Sequence, residues 1–294
     1  MRGFVRLLRP RQWIKNVVVF AGLIFAGRLG ETAFLTHAIA AFVTFCLLSS
    51  AIYVFNDIVD VERDRLHPKK KNRPLAAREL SLGAAAFFAA ALAVLGLILA
   101  FLLGPRFGIT CAAFVVLNFL YSVLLKRAAM IDVLTIAVSF MVRAIGGVEV
   151  LRDLDPGVAL SAWLLLCTFF LALFMGLGKR RSELALLEEA ASQHRRALGE
   201  YSVALVDIVL PMVTTSAIIT YSIYTIWPAT VEKLGTDKLV YTVPVVVYGF
   251  FRYLFLIRER GLGGNPSEIL FRDFPLLASV LVWSVSVIGI LYLR

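Results

Sequence analysis

The chain has 294 residues, 60% of them hydrophobic, and a mean hydropathy of +0.84. That balance excludes an ordinary soluble domain and points to an all-α, polytopic membrane protein. The net charge of +10 is spread over segments that border anionic lipid, so it calls for no nucleic acid.

Residues 1–13 place Phe4, Leu7 and Leu8 on one helical side, with Arg2, Arg6 and Arg9 as charges. This is the pattern of a short interfacial amphipathic helix. Nine apolar segments follow, each read as a transmembrane helix. They run over 14–28, 34–57, 81–103, 107–125, 130–149, 158–178, 203–227, 239–257 and 275–293. The first is the shortest. No small-residue cleavage site follows it, so no cleavable signal peptide is expected. Cys46, Cys111 and Cys167 sit in apolar runs and read as small hydrophobes. No polar stretch exceeds about 30 residues, which predicts a single transmembrane domain over 1–294.

Charge sets the expected orientation. Twenty-two Lys and Arg fall in 1–15, 58–80, 126–129, 179–202 and 258–274, and only six fall in the segments between the other span ends. The positive-inside rule then puts the N-terminus in the cytoplasm and, with nine spans, the C-terminus outside. Two loops on the basic side, 58–80 and 179–202, are long and carry both signs of charge. They are the expected active-site loops.

The first loop opens on Asn56-Asp57-Ile58-Val59-Asp60-Val61-Glu62-Arg63-Asp64 at the end of an apolar run. Carboxylates at a membrane mouth are costly to desolvate and so mark function. On a helix Asp57, Asp60 and Asp64 lie within about 60° of one another, with Asn56 on the flank. Such a cluster needs a cation. Lys70 and Arg73 follow and suit an anion. Together they predict Mg²⁺ holding a diphosphate, with Asn56, Asp57, Asp60 and Asp64 as candidate metal ligands. Further along, Asn118 and Tyr121 share a helix face and Lys126 closes that span. Asp132 is expected to border the site. Arg143, about 16 Å deeper on the same helix, is expected to hold structure instead. Gly146-Gly147 predicts close helix packing.

Asn56-Asp57-x-x-Asp60-x-x-x-Asp64 resembles the first Asp-rich motif of the UbiA superfamily of intramembrane prenyltransferases. Asn72-Arg73-Pro74 and Tyr121-Ser122-x-x-x-Lys126 are similar to that superfamily too, as is the nine-helix pattern. Arg9-Pro10-Arg11-Gln12-Trp13-Ile14-Lys15-Asn16, His67-Pro68-x-Lys70-x-x-Arg73-Pro74, Gly178-Lys179-Arg180-x-x-Glu183 and Asn265-Pro266-Ser267-Glu268 with Asp273 look like one branch of it, the decaprenyl-phosphate phosphoribosyltransferases. Superfamily members that bind a prenyl diphosphate carry a second Asp-rich motif in the second loop. This chain has no Asp between 156 and 206 and offers Lys179, Arg180, Arg181 and Glu183. Exchanging acids for bases turns a metal site into a phosphate site.

The resemblance implies phosphoribosyl pyrophosphate (PRPP) and polyprenyl phosphate as substrates and a bacterial inner-membrane location with the site facing the cytoplasm. It implies catalysis through Asp57 and Asp60 by way of Mg²⁺, and through Lys179 and Arg180. Lys15 becomes a lipid- or sugar-phosphate ligand, and Lys70, Arg73, Asn118, Tyr121, Lys126, Asp132, Glu183 and Tyr201 become substrate contacts. A homo-oligomer is compatible with all of this. Two alternatives stand beside it: a UbiA-type enzyme moving a prenyl group to an aromatic or lipid acceptor, and a transporter. The transporter would place polar residues at mid-membrane on several broken helices.

Overall fold

The computed structural model describes residues 2–66, 70–187, 201–262 and 266–293, which are helical with no strand among them. In chain order, α1 is Arg2–Leu8, a 3-10 helix covers Pro10–Val19, α2 is Phe20–Phe25, α3 is Thr32–Val59 and α4 is Val61–Leu66. Then come α5 (Leu82–Leu103), α6 (Pro105–Val123), α7 (Ile131–Arg152), α8 (Ala162–Leu187) and α9 (Val203–Ile226). The chain closes with α10 (Pro228–Leu234), α11 (Val243–Arg258), α12 (Pro266–Arg272) and α13 (Phe274–Tyr292). Eight of these stretches are long and apolar enough to cross a membrane: α3, α5, α6, α7, α8, α9, α11 with the turn before it, and α13.

Local signals set the boundaries. Ser81, Ser202 and Asp273 cap α5, α9 and α13 by accepting the backbone N–H of Ala84, Leu205 and Leu276. Proline stands in the first turn of α6, α10, α11 and α13, where its missing N–H costs nothing.

The core is arranged about α7. Near its start, Val133 and Ala137 pack with Ala172, Leu177, Val206, Leu210 and Leu256. Near its end, Val148, Val150 and Leu151 join Val19, Leu23, Phe45, Phe107 and Phe114. One helix therefore belongs to both halves of the core. Glycine makes this possible. A Cβ on Gly147 would overlap the carbonyl oxygen of Val19, and one on Gly22 would lie 2.8 Å from the carbonyl oxygen of Gly147. The backbones of α7 and the N-terminal segment touch, as small residues allow between membrane helices.

Three regions differ from the sequence expectation, the first being the expected span 14–28, which falls on the 3-10 helix and the six-residue α2 and is not among the eight. The apolar side of α1 faces protein: Leu7 is fully buried with Val54, Val61, Leu75 and Ala85, and Phe4 meets Phe88 edge-on at 5.1 Å. The sixth predicted span also runs longer. α8 continues to Leu187, so Lys179, Arg180 and Glu183 stand on a helix and not in a loop. The apolar run ends near 178, but i,i+3 and i,i+4 ion pairs carry the helix onward.

Candidate functional site

Polar side chains collect at the end of the bundle where α3, α6 and α8 finish and α7 begins. α3 has 28 residues. At 1.5 Å per residue it is about 42 Å long, more than a hydrocarbon core of roughly 30 Å. Its last turns therefore carry Asn56 and Asp57 toward the interface. Asp60 ends the helix with φ −98° and ψ 6°, and α4 resumes at Val61.

That break divides the three aspartates. Asp57, 2% exposed, accepts from Arg9 Nη2 at 2.5 Å and from Arg73 Nη1 at 3.0 Å. Arg73 Nη1 also donates to Asp64 Oδ2 at 2.6 Å. Asp60 turns elsewhere: Lys126 Nζ donates to both of its oxygens, at 2.7 and 2.8 Å. Among the described residues no three His, Cys, Asp or Glu side chains gather closely enough to hold a metal unaided. The donor chemistry still fits a hard divalent cation, since Asp57, Asp60 and Asp64 offer carboxylate oxygens and half-buried Asn56 an amide oxygen. In this arrangement Arg9, Arg73 and Lys126 neutralise those carboxylates.

The sequence presents Arg9 as a surface charge, and the structure brings it into the site. It joins α1 to the 3-10 helix with φ 52° and ψ 57°, a left-handed conformation unusual for a residue with a side chain. Its pairing with Asp57 secures that turn. Arg9 also lines a cleft of about 500 Å³ with Arg6, Arg11, Gln12, Asp57, Asn72 and Arg73. The one forward sign is the Arg-Pro-Arg-Gln-Trp run, because a charge of an amphipathic helix carries no local mark of an inward turn.

A second network forms at the same end of the bundle, where α7 begins and α8 finishes. Asp132 is fully buried and Arg180 is 1% exposed. Arg180 Nε donates to Asp132 Oδ2 at 2.8 Å, and Nη1 donates to Glu183. The Tyr201 hydroxyl donates to Asp132 Oδ1 at 2.7 Å and accepts from the Met130 N–H at 2.8 Å. Burial first, and then Asp132, push the Tyr201 hydroxyl above the usual phenol range, which keeps its proton available to Asp132. Lys179, with more of its side chain exposed, stands 3.6 Å from Glu183. Tyr121 is half-buried near the end of α6. Asn118 Nδ2 donates to the Phe114 carbonyl at 2.8 Å and to Ser139 Oγ at 3.0 Å, which ties α6 to α7. Lys70 is half-buried in the turn before Arg73, and Lys15 half-buried in the 3-10 helix. His67 and Asn265 lie outside the described residues, as does most of the loop after α8.

A multi-pass helical bundle with two networks of paired acids and bases at one end defines a membrane protein class. A UbiA homologue from Archaeoglobus fulgidus, in a structure bound to GPP and Mg²⁺, superposes with a TM-score of 0.75 over 98% of this chain and 99% of that one, at 20% identity. The UbiA prenyltransferase family matches residues 16–271. The chain belongs to that family and is a transferase. It is 33% identical to the decaprenyl-phosphate phosphoribosyltransferase of Corynebacterium glutamicum, over 99% of this chain and 87% of that protein. The protein of the same name from Mycolicibacterium smegmatis is also 33% identical, over 96% and 90%.

Proposed function

We propose that the protein transfers the 5-phosphoribosyl group of PRPP to polyprenyl phosphate and releases diphosphate. The observation that supports this reading most is the near full-length likeness to relatives that carry that name. The site agrees with it chemically. The attacking group is a phosphate oxygen, already ionised at neutral pH, so no general base is required.

The diphosphate of PRPP sits at the Asp57–Asp60 end and the 5-phosphate reaches toward Lys179. Bound by Asp57, Asp60, Asp64 and Asn56, Mg²⁺ supplies Lewis-acid charge against the charge that develops on the leaving diphosphate. Arg9, Arg73 and Lys126 exchange their carboxylates for phosphate oxygens when substrate enters. Arg180 holds Asp132, Glu183 and, through Asp132, Tyr201, and so fixes the wall on which Lys179 stands. Lys70, Tyr121 and Asn118 complete the contacts. Holding two anions in line is most of the catalytic task.

The site faces the cytoplasm of a bacterial inner membrane, and residues 1–294 act as one domain. We count Pro10–Phe25 as a ninth crossing. Ten 3-10 residues and six α-helical ones rise about 29 Å together, close to the thickness of a hydrocarbon core. Pairing of Arg9 with Asp57 at one end, and of Arg28 with Asp155 at the other, agrees with such a crossing.

The test uses purified protein in detergent with Mg²⁺. One sample receives polyprenyl phosphate and PRPP, and a parallel one receives prenyl diphosphate and 4-hydroxybenzoate. A Mg²⁺-dependent phosphoribosyl lipid in the first is expected. Product only in the second sample would replace the donor and leave the fold assignment standing.

A further inference from the structure

Asp273, which the sequence groups with the branch motifs, stands outside both networks of the site. It fastens two of the membrane helices to each other instead. Arg252 of α11 donates to its carboxylate through Nε at 3.0 Å and Nη2 at 2.7 Å, and the same carboxylate caps α13. The pair lies toward the polar end of the bundle, where Arg258 of α11 reaches Asp207 of α9 at 3.4 Å.

Beside this pair a groove of about 400 Å³ runs between the two helices, lined by Val245 and Tyr248 of α11 and by Pro275, Ala278 and Val282 of α13. Tyr248 is one turn from Arg252, and Pro275 closely follows Asp273, so the groove starts next to the ion pair. Tyr248 is 48% and Val282 51% exposed, and both stand on membrane-crossing helices, so the groove opens to lipid. Ser279, on the same wall, spends its hydroxyl proton on the Leu276 carbonyl at 2.7 Å. From Pro275 to Val282 the wall rises about 10 Å, roughly two thirds of the hydrocarbon of one leaflet. The dimensions and the lining suit an acyl chain.

A cation stands at the polar end. Arg252 and Arg260 both lie over the ring of Phe255, with guanidinium carbons 5.4 and 5.9 Å from its centre. The charge of Arg252 is met by Asp273. Arg260 is exposed and pairs with no carboxylate among the described residues, although Glu259 precedes it in the chain. An aromatic face orients a guanidinium and leaves its N–H edge free for a phosphate. The groove alone selects nothing, because hydrocarbon fills any lipid-facing gap. The guanidinium does select. A zwitterionic headgroup offsets its phosphate with its own cation, whereas an anionic headgroup keeps the charge.

We propose that the groove between α11 and α13 holds an acyl chain of an anionic membrane phospholipid whose phosphate meets Arg260. The occupant is a structural lipid and not a reactant, since among the described residues no side chain of the two site networks lines the groove.

The experiment reads lipid selectivity at the groove, with the full-length protein in bilayers. Tyr248→Trp places a fluorophore on the groove wall. The quenchers are brominated phosphatidylglycerol and brominated phosphatidylcholine, each diluted into plain phosphatidylcholine, and the quenching of the four native Trp is subtracted. Phosphatidylglycerol should be preferred about fivefold, the factor for one basic side chain at an anionic surface. Arg260→Gln in the same reporter should bring the ratio to about one. Val94→Trp, on the exposed face of α5, should show a ratio near one throughout. If Tyr248→Trp fails to fold, Val282→Trp reports from the opposite wall. No preference at the groove, a preference that survives Arg260→Gln, or an equal preference at α5 overturns the site. Loss of quenching on adding one equivalent of polyprenyl phosphate per protein also overturns it, by giving the groove to a lipid reactant. Neither PRPP nor turnover enters these readings, so they stand or fall apart from the proposed reaction.

Discussion

Asp57 and Asp60 differ in environment, and the difference predicts different mutants. Asp60 is partly exposed and has one ammonium partner. Asp60→Asn should cut turnover by at least about a hundredfold, the scale of a lost charge-stabilising group, with little change in melting temperature. Asp57 is buried between two guanidinium groups. Asp57→Asn should lose activity and also lower the melting temperature, because Arg9 gives up its carboxylate. Near-normal turnover in both variants would remove the metal assignment. Across the site, Asp132→Asn should destabilise the protein by about 3–5 kcal/mol, the cost of breaking a buried pair and leaving Arg180 undercompensated. Lys179→Ala should leave melting unchanged and raise KM for PRPP more than KM for the lipid. The opposite pattern would assign the α8 turn to the lipid. The acids are legible in the amino-acid sequence, because three aspartates at helical spacing beside an apolar run have few explanations. Their partners are not: Arg9 and Asp57 are 48 residues apart, and no local pattern encodes that contact.

Contacts between elements rest on backbone proximity as much as on side chains. Gly147→Ala places a methyl group on the Val19 carbonyl, a backbone atom that cannot rotate away. A loss of about 1–3 kcal/mol is expected from such overpacking. Gly249→Ala serves as the comparison, since its Cβ meets only Ser279 Oγ at 3.4 Å. Equal melting temperatures for the two would refute close packing of α7 on the N-terminal segment. At the start of α13, Asp273 pairs with Arg252 of α11. The Arg252 hydrogen bond, aided by the Leu276 N–H, holds the Asp273 carboxyl below the usual carboxylate range. Its contribution is therefore full above the ordinary Asp value of about 3.9 and is lost as pH falls through the lowered one. Acid unfolding of Asp273→Asn should show a shallower loss of stability below about pH 4 than the parent protein. Gly146-Gly147 announces close packing in the sequence, although the partner element is not readable there. Hydropathy misplaces the end of α8 because the apolar run stops at Gly178, while ion pairs extend the helix to Leu187.

For the whole molecule, topology is the decisive property. The proposed nine crossings with a cytoplasmic N-terminus would put the C-terminus outside. A periplasmic reporter such as alkaline phosphatase fused after Arg294 should then be active, and one fused after Arg127 inactive. The reverse result would invert the orientation. With the Arg127 fusion inactive, an N-terminus reached from the outside would remove Pro10–Phe25 from the crossings. Composition, hydropathy and charge asymmetry determined the class of protein, the approximate helix boundaries and the positions of the acidic and basic motifs, since each is a local consequence of transferring side chains between water and lipid. Tertiary structure alone decided which charges meet. It split Asp60 from Asp57 and Asp64, drew Arg9 inward and closed Asp132, Arg180 and Tyr201 into one network. Among the described residues it left Arg143 and Lys15 without a carboxylate. The physical reason is range. Burial is decided residue by residue along the chain, but an ion pair depends on two distant segments arriving at the same depth on facing helices.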